Sequence, residues 1–348
     1  MLAIEEANRR GLPGGFRLRL DDLDDTVQGK HDPAQGAQNV KDFVADPAIV
    51  ASLGPMNSNV AEAEIPIGNA AGLAEITMAA SASVLTHAPD ALKLRIAQPN
   101  RPAFFRVCAS DDRQGAAAAA FARSMGLERA FVIDDDESYG KGIADEFASA
   151  FARAGGAIAG REHLTAFALD LRPLLTKVKA VGPDMVFFGG IVSTGGAVLR
   201  RQMPDVGLGQ VPYFGGDGLV SPEYVPLAGP AAEGTYFTTL APDIDHFPDA
   251  HDFAAAYRAR FGTPPGSYSP GGYAAASVAI EAIRRSLAAH PRALPSREEV
   301  LRRIAATSGL VTPIGAVSFD PSGDLRKPVI SLYRIRGGRV EFVRQAGG

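Results

Sequence analysis

Along most of the chain, short apolar runs rich in β-formers alternate with stretches whose apolar residues recur at helical spacing. The runs Phe16–Leu20, Ala48–Leu53, Glu75–Ala79, Phe104–Val107, Ala130–Ile133, Met185–Phe188 and Val211–Phe214 read as strands. Between them, Ala34–Val44, Asn59–Ala71, Gln114–Met125, Gly140–Ala154 and Leu171–Val181 read as helices. Repetition of strand and helix predicts parallel sheets covered on both faces, although a single α/β barrel would show the same alternation. From Phe247 the pattern turns helical (Ala250–Arg260, Tyr273–Ala289, Arg297–Ala306). The chain then ends in two β runs, Val329–Arg334 and Val340–Arg344, around Gly337-Gly338, a pair suited to a tight hairpin turn. Late strands after a helical block predict a chain that returns to an earlier sheet.

The opening is unusual. A doubly wound domain normally starts with a strand, whereas this chain starts inside a helix, Leu2–Arg10, ended by Gly11 and the Pro13-Gly14-Gly15 turn.

At 348 residues the chain exceeds the size at which one core usually stays undivided, so two domains are expected. Apolar residues at 46% and charged residues at 21% describe an ordinary globular balance. A net charge of −4 with scattered Lys and Arg offers no footprint for nucleic acid or an anionic membrane. The single cysteine, Cys108, rules out an internal disulfide and reads as a buried small residue. No apolar run is long enough to span a bilayer, and Met1-Leu2-Ala3-Ile4-Glu5-Glu6 is not a secretory signal.

Ligands of open α/β sheets bind beyond the carboxyl ends of the strands, so the residues after each strand are the candidates. After Leu53 comes Gly54-Pro55-Met56-Asn57-Ser58-Asn59, in which Asn59 and Glu62 have capping-box spacing. Ser58 then sits where free N–H groups favour an anion, unless these three residues only cap the helix. After the Glu75 run, Ala79-Ala80-Ser81 offers small side chains and one hydroxyl. After Ile133, Tyr139 precedes Gly140, and Gly189-Gly190-Ile191 follows the next strand. Asp217 stands among Gly215, Gly216 and Gly218. A simple loop or turn accounts for each one separately; together they form donors for a carboxylate and an acid for an ammonium. Catalytic patterns are poor by comparison. The six histidines form no His-Glu-x-x-His, and there is no Gly-x-Ser-x-Gly elbow, phosphate loop or dinucleotide fingerprint. A dehydrogenase would lack base, nucleophile and cofactor loop. No enzyme activity, cofactor or metal is expected.

The order Ala3-Ile4-Glu5-Glu6-Ala7-Asn8, Gly14-Gly15, Asp21-Asp22 and the serine-bearing helix start resembles the branched-chain amino-acid (Leu/Ile/Val) substrate-binding proteins of ABC transporters. The resemblance continues through Phe105-Arg106-Val107, Asp112-Arg113-Gln114-Gly115, Tyr139-Gly140-Lys141-Gly142, Phe188-Gly189-Gly190, Ala232-Glu233-Gly234, Gly315-Ala316-Val317-Ser318-Phe319-Asp320 and Gly323-Asp324-Leu325. It runs collinearly over essentially the whole chain. It implies a type I periplasmic binding fold: two doubly wound α/β lobes with parallel sheets, joined by three crossovers and clamping the ligand between them. Lobe 1 would comprise residues 1–109 with 240–314, and lobe 2 residues 110–239 with 315–348. The crossovers would fall near Cys108–Ser110, Thr238–Leu240 and Pro313–Ala316.

In such proteins Ser58 and Ser81 would hold the ligand carboxylate, the Ala79 carbonyl and Asp217 its ammonium, and Tyr139 would cover it. Asp217 stands where the family usually has Glu, and Ile191 where an aromatic often follows the two glycines, so Ile191 would shape the side-chain pocket. The implied function is capture of an amino acid, branched-chain or otherwise apolar, for a membrane permease, by a monomeric periplasmic protein. A cytoplasmic amino-acid or amide sensor on the same fold is the alternative. The resemblance also implies a first strand, its loop and a signal peptide ahead of Met1. Without that strand, neighbouring backbone groups would be left unpaired, so this chain is expected to be less stable than an N-terminally extended one.

Overall fold

The computed structural model describes residues 1–164 and 169–346. It divides into two compact units, each built from separate stretches of chain: Met1–Ala109 with Asp243–Pro328, and Ser110–Pro242 with Val329–Gly348. The chain therefore passes from one unit to the other at 109/110, 242/243 and 328/329. Residues 315–328, expected in the second lobe, belong to the first. Phe319 packs on Phe105 at 5.1 Å between ring centroids, and Asp324 pairs with Arg106, which holds this stretch against the first unit's sheet.

In the first unit, strands Ala51–Leu53, Ala74–Thr77 and Phe104–Arg106 form a parallel sheet in that order. All four side chains of the middle strand are buried, as expected for a parallel strand covered on both faces. Helix Pro33–Ala45 starts under an Asp32 cap, whose Oδ1 accepts the Gln35 N–H at 2.8 Å. Helix Ser58–Ala71 ends at Gly72, in the left-handed conformation at φ 65°. The predicted capping box does not form: Asn57 is the N-cap, and the Asn59 Oδ1 accepts from the adjacent Val60 N–H at 2.9 Å. Helix Leu2–Arg10 coincides with its predicted span and buries Leu2, Ala3, Ile4 and Ala7. It packs against the long Ala-rich helix Ser269–Ala289.

Phe16–Leu20, expected as a strand, is not one. Among the described residues its only backbone tie is to the side chain of Asn8, which accepts the Leu18 N–H at 2.8 Å and donates to the Leu18 carbonyl at 2.9 Å. A strand needs a neighbour, and here a cavity of about 800 Å³ is lined by Phe16–Leu20 and by Ala51–Leu53, the edge of the sheet.

The second unit carries a seven-stranded sheet in the order Arg339–Ala346, Ile330–Arg336, Thr235–Thr239, Tyr213–Gly215, Met185–Gly189, Arg129–Asp134, Ala157–His163. The last five run parallel, while Ile330–Arg336 joins antiparallel to Thr235–Thr239 and turns at Gly337-Gly338 into its hairpin partner. Both turn glycines have positive φ, 57° and 69°, which selects the hairpin turn that glycine permits. Adjacent residues of strand Met185–Gly189 serve opposite faces. Phe187 stacks on Phe147 of helix Ser138–Arg153 at 3.9 Å, and Phe188 joins the cluster around Tyr213 and Leu199. Strands Ala157–His163 and Thr235–Thr239 were not among the predicted ones.

Two carboxyls of the first unit lie buried near the cavity. Glu75 is fully buried and neither of its oxygens has a hydrogen-bond partner; Glu64 is 5% exposed and has none among the described residues. Burial, reinforced by the acid Asp25, pushes Glu64 up to about 8; burial, reinforced by Glu64, also pushes Glu75 far up. A folded-state value above the unfolded one means stability that is complete below about pH 4.5 and lost as pH rises towards 8. Denaturant unfolding between pH 5 and pH 8 should therefore show falling stability, with Glu64 contributing at most about 5 kcal/mol of the fall. Glu64→Gln should flatten the slope, leaving the part due to Glu75. An unchanged slope in that variant would contradict this account.

Candidate functional site

Each unit presents its own set of polar groups at the carboxyl ends of its parallel strands. In the first unit, Ser58 is the opening residue of helix Ser58–Ala71 and is buried; its Oγ accepts the Ala82 N–H at 3.2 Å. That bond joins the loop after strand Ala51–Leu53 to the loop after strand Ala74–Thr77. Thr77 tightens the same junction. Its Oγ1 donates to the Pro55 carbonyl at 2.6 Å and accepts from the Ala79 and Ala80 N–H groups at 3.1 and 2.9 Å. Ala79 and Ser81 are buried on this turn, and the Ser81 Oγ has no partner. A buried hydroxyl without a partner is costly, and the N-terminus of a helix beside it favours an anionic acceptor.

The turn rests on Arg106, which is fully buried at the end of strand Phe104–Arg106. Its Nη1 donates to the Ser81 and Ala82 carbonyls at 2.7 and 2.8 Å. Its Nε and Nη2 donate to the two carboxylate oxygens of Asp324 at 2.8 and 3.1 Å, and Nη2 also reaches the Thr86 hydroxyl. Asp324 further bonds Thr86 at 2.9 Å and His87 at 3.0 Å. Burial alone would raise the Asp324 carboxyl, but the Arg106 charge and the hydrogen bonds from His87, Arg106 and Thr86 hold it well below the usual carboxylate range. Neither residue was assigned a role from the sequence. The available signal was an arginine inside the apolar run Phe104-Phe105-Arg106-Val107, a place where an unpaired charge cannot stay.

In the second unit, the structure brings Tyr139, Ile191 and Asp217 together. Asp217 is 5% exposed at the start of a turn, and its Oδ1 accepts from the Tyr139 hydroxyl at 2.8 Å and from the Gln114 Nε2 at 3.1 Å. The Gly218 N–H donates to the Tyr139 hydroxyl at 3.1 Å. Glycine is required in this turn: a Cβ on Gly218 would lie 2.3 Å from the Gly190 carbonyl, 2.8 Å from the Tyr139 ring and 3.0 Å from Ile191. The Ile191 backbone is fixed by its N–H bond to Thr194 Oγ1 at 3.0 Å, and Thr194 in turn donates to Asp135 at 2.7 Å. Gln114 is the contributor the sequence reading did not identify; its amide reaches Asp217 across 103 residues of chain.

Among the described residues, the Ser58 Oγ is engaged by the Ala82 N–H and the Ser81 Oγ has no hydrogen-bond partner. Asp134, Asp136 and His163 lie close enough to hold a metal ion, but the Asp134 carboxylate is already matched by Arg161 at 2.6 and 2.9 Å.

The family described as periplasmic binding protein matches residues 1–338. The Leu/Ile/Val-binding protein BraC3 of Rhizobium johnstonii is 29% identical over 97% of this chain and 86% of its own length. A leucine-binding protein, LivK, from Thermotoga maritima superposes with a TM-score of 0.84 at 24% identity, over 99% of this chain and 92% of that one. A substrate-binding protein of an ABC transporter from Desulfitobacterium hafniense, solved in complex with Leu, gives 0.80 at 26% identity over 98% and 93%.

Asp324→Asn should leave a buried guanidinium without its counter-charge and cost about 3–5 kcal/mol in urea unfolding. The double replacement Arg106→Met with Asp324→Leu should recover much of that loss. If Asp324→Asn is neutral, the pair does not support the Ser81 turn.

Proposed function

The chain belongs to the family of periplasmic binding proteins, and we propose that it captures an α-amino acid, branched-chain or otherwise apolar, for the membrane permease of an ABC transporter in the periplasm. The observation that carries the choice of an amino acid is Asp217. A nearly buried carboxylate oriented by Tyr139 and Gln114 and flanked by glycines calls for a cationic ligand group, and an α-ammonium supplies one. The first unit's own polar groups suit the same chemistry: the Ser81 hydroxyl and the N-terminus of helix Ser58–Ala71 suit a carboxylate, and the Ala79 carbonyl suits an ammonium. Ile191, an aliphatic side chain beside Tyr139 and Gly218, suits an apolar ligand side chain. The leucine-binding relatives support the same class of ligand. The protein acts by binding, release and docking to the permease, as a monomer without cofactor.

Calorimetric titration should show binding of Leu, Ile or Val and none of benzoate or dicarboxylic acids. Asp217→Asn and Ser81→Ala should each weaken the amino acid roughly 10- to 100-fold, the range expected for losing one hydrogen bond to a charged group. Binding of aryl or dicarboxylic acids with no response to any amino acid would overturn the assignment.

A further inference from the structure

We propose that Asp135 and Thr194 form a latch that positions Ile191 against Tyr139 and so sets which ligand side chains the second unit accepts. The inference rests on the amino-acid reading above. Asp135 is 8% exposed and directly follows strand Arg129–Asp134, while Thr194 lies in the turn after strand Met185–Gly189. The Asp135 Oδ2 accepts from the Thr194 hydroxyl at 2.7 Å, and its Oδ1 accepts from the Glu137 N–H at 3.2 Å. A hydroxyl has one proton to give, and the carboxylate at 2.7 Å takes it in preference to the Ile191 carbonyl at 3.0 Å. The Thr194 oxygen is then left to accept the Ile191 N–H, also at 3.0 Å. On the backbone side, the Asp135 N–H donates to the Gly189 carbonyl at 3.0 Å. One residue thus ties the loop leading to Tyr139 to the loop carrying Ile191.

The carboxylate is closely fitted. A Cβ on Gly140 would lie 2.0 Å from its Oδ1, and one on Gly190 would lie 2.6 Å from its Oδ2. Burial pushes the Asp135 carboxyl above its ordinary value, against the bonds from Thr194, Glu137 and Ile191, so these donors replace the water it has lost. The Ile191 loop contains Gly190, Gly195 and Gly196 and has little stiffness of its own, which makes a cross-link to the neighbouring loop consequential. The latch bears on one wall. Ile191 and Tyr139 flank the same point, since a Cβ on Gly218 would meet the Tyr139 ring at 2.8 Å and Ile191 at 3.0 Å. Asp217, by contrast, is oriented by the Tyr139 hydroxyl and Gln114, without a printed bond to Asp135 or Thr194 among the described residues. Loosening the latch therefore alters the wall beside the ligand side chain and leaves the partner of the ammonium in place.

The test is calorimetric titration of the full chain with leucine and with alanine, whose side chain is too short to gain from this wall. Thr194→Val keeps the size of the side chain and removes both hydrogen bonds. It should weaken leucine about tenfold while alanine changes by less than about twofold, the scale on which a pocket tells one methylene from none. Thr194→Ser retains the hydroxyl and should keep the wild-type preference. Asp135→Asn must give up one of the two bonds that the carboxylate accepts, so it should move the leucine-to-alanine ratio the same way. Combined with Thr194→Val it should add little, as expected for residues acting as one unit. Amide exchange at Ile191 should rise about tenfold or more in Thr194→Val and stay near wild type in Thr194→Ser. A lower Tm with an unchanged ratio would make the latch purely structural and overturn the proposal. So would a Thr194→Ser variant that shifts the ratio as far as Thr194→Val. If Thr194→Val does not fold, the ratio in Asp135→Asn decides. A wild-type chain that binds no amino acid overturns the functional reading, and the latch as a selectivity device with it.

Discussion

The first unit depends on a buried charge placed where it can reach everything it must hold. Arg106 spends its donors on two carbonyls of the Ser81 turn, on Thr86 and on both oxygens of Asp324, a residue 218 positions later in the chain. Burying a guanidinium is tolerable only when its donors and its charge are matched, and here both are. The result is covalent-like closure without a disulfide: the returning segment around Asp324 is held under the turn that presents Ser81. This is why residues 315–328 count with the first unit despite standing so far along the chain.

The second unit uses the same device in another form. Arg200, nearly buried, donates to the carbonyls of Ala231, Val211, Gly209 and Glu233 and so gathers two loops around one planar group. No carboxylate is in that set, and burial accordingly lowers its proton affinity. Carbonyls suffice there because the guanidinium only organises backbone. At Arg106 a full counter-charge is present because the turn above it must stay fixed while its own hydroxyl is left for something else. In the first unit the Ser81 turn is thus immobilised by a partner behind it, which is what a preorganised surface needs, while in the second Arg200 fixes the chain at 209–211 and 231–233.

What the sequence could show divides along the same physical line. Helices announced themselves through their own periodicity and stop signals, and Leu2–Arg10 needed nothing else. Ser58, Ser81 and Asp217 became candidates through a rule about strand ends, and each does lie after a parallel strand of its unit. Phe16–Leu20 was misread because alternation of apolar residues is necessary for a strand but pairing makes it one, and pairing is a property of the neighbour. Ala157–His163 escaped notice for the opposite reason: it is an edge strand with little burial, so it shows no apolar alternation. Thr235–Thr239 is rich in threonine and has no clear apolar stripe. Arg106 and Gln114 act on partners more than a hundred residues away, a distance no local pattern reports.

Helix Ser58–Ala71 connects the two parts of the first unit that matter most. Its first residue holds the Ala82 N–H at the polar strand ends, and two turns further on Glu64 faces the cavity. A helix is stiff over this length, so a displacement at Glu64 is carried to Ser58 instead of being absorbed between them. Gly36 on helix Pro33–Ala45 approaches so closely that a Cβ there would lie 2.4 Å from Val60 and 2.8 Å from the Glu64 carboxylate. That contact leaves Glu64 little room to move away from its acidic neighbours. Ser58 is held by its Ala82 bond, and the same helix is fixed further along by the close approach of Gly36 to Val60 and Glu64.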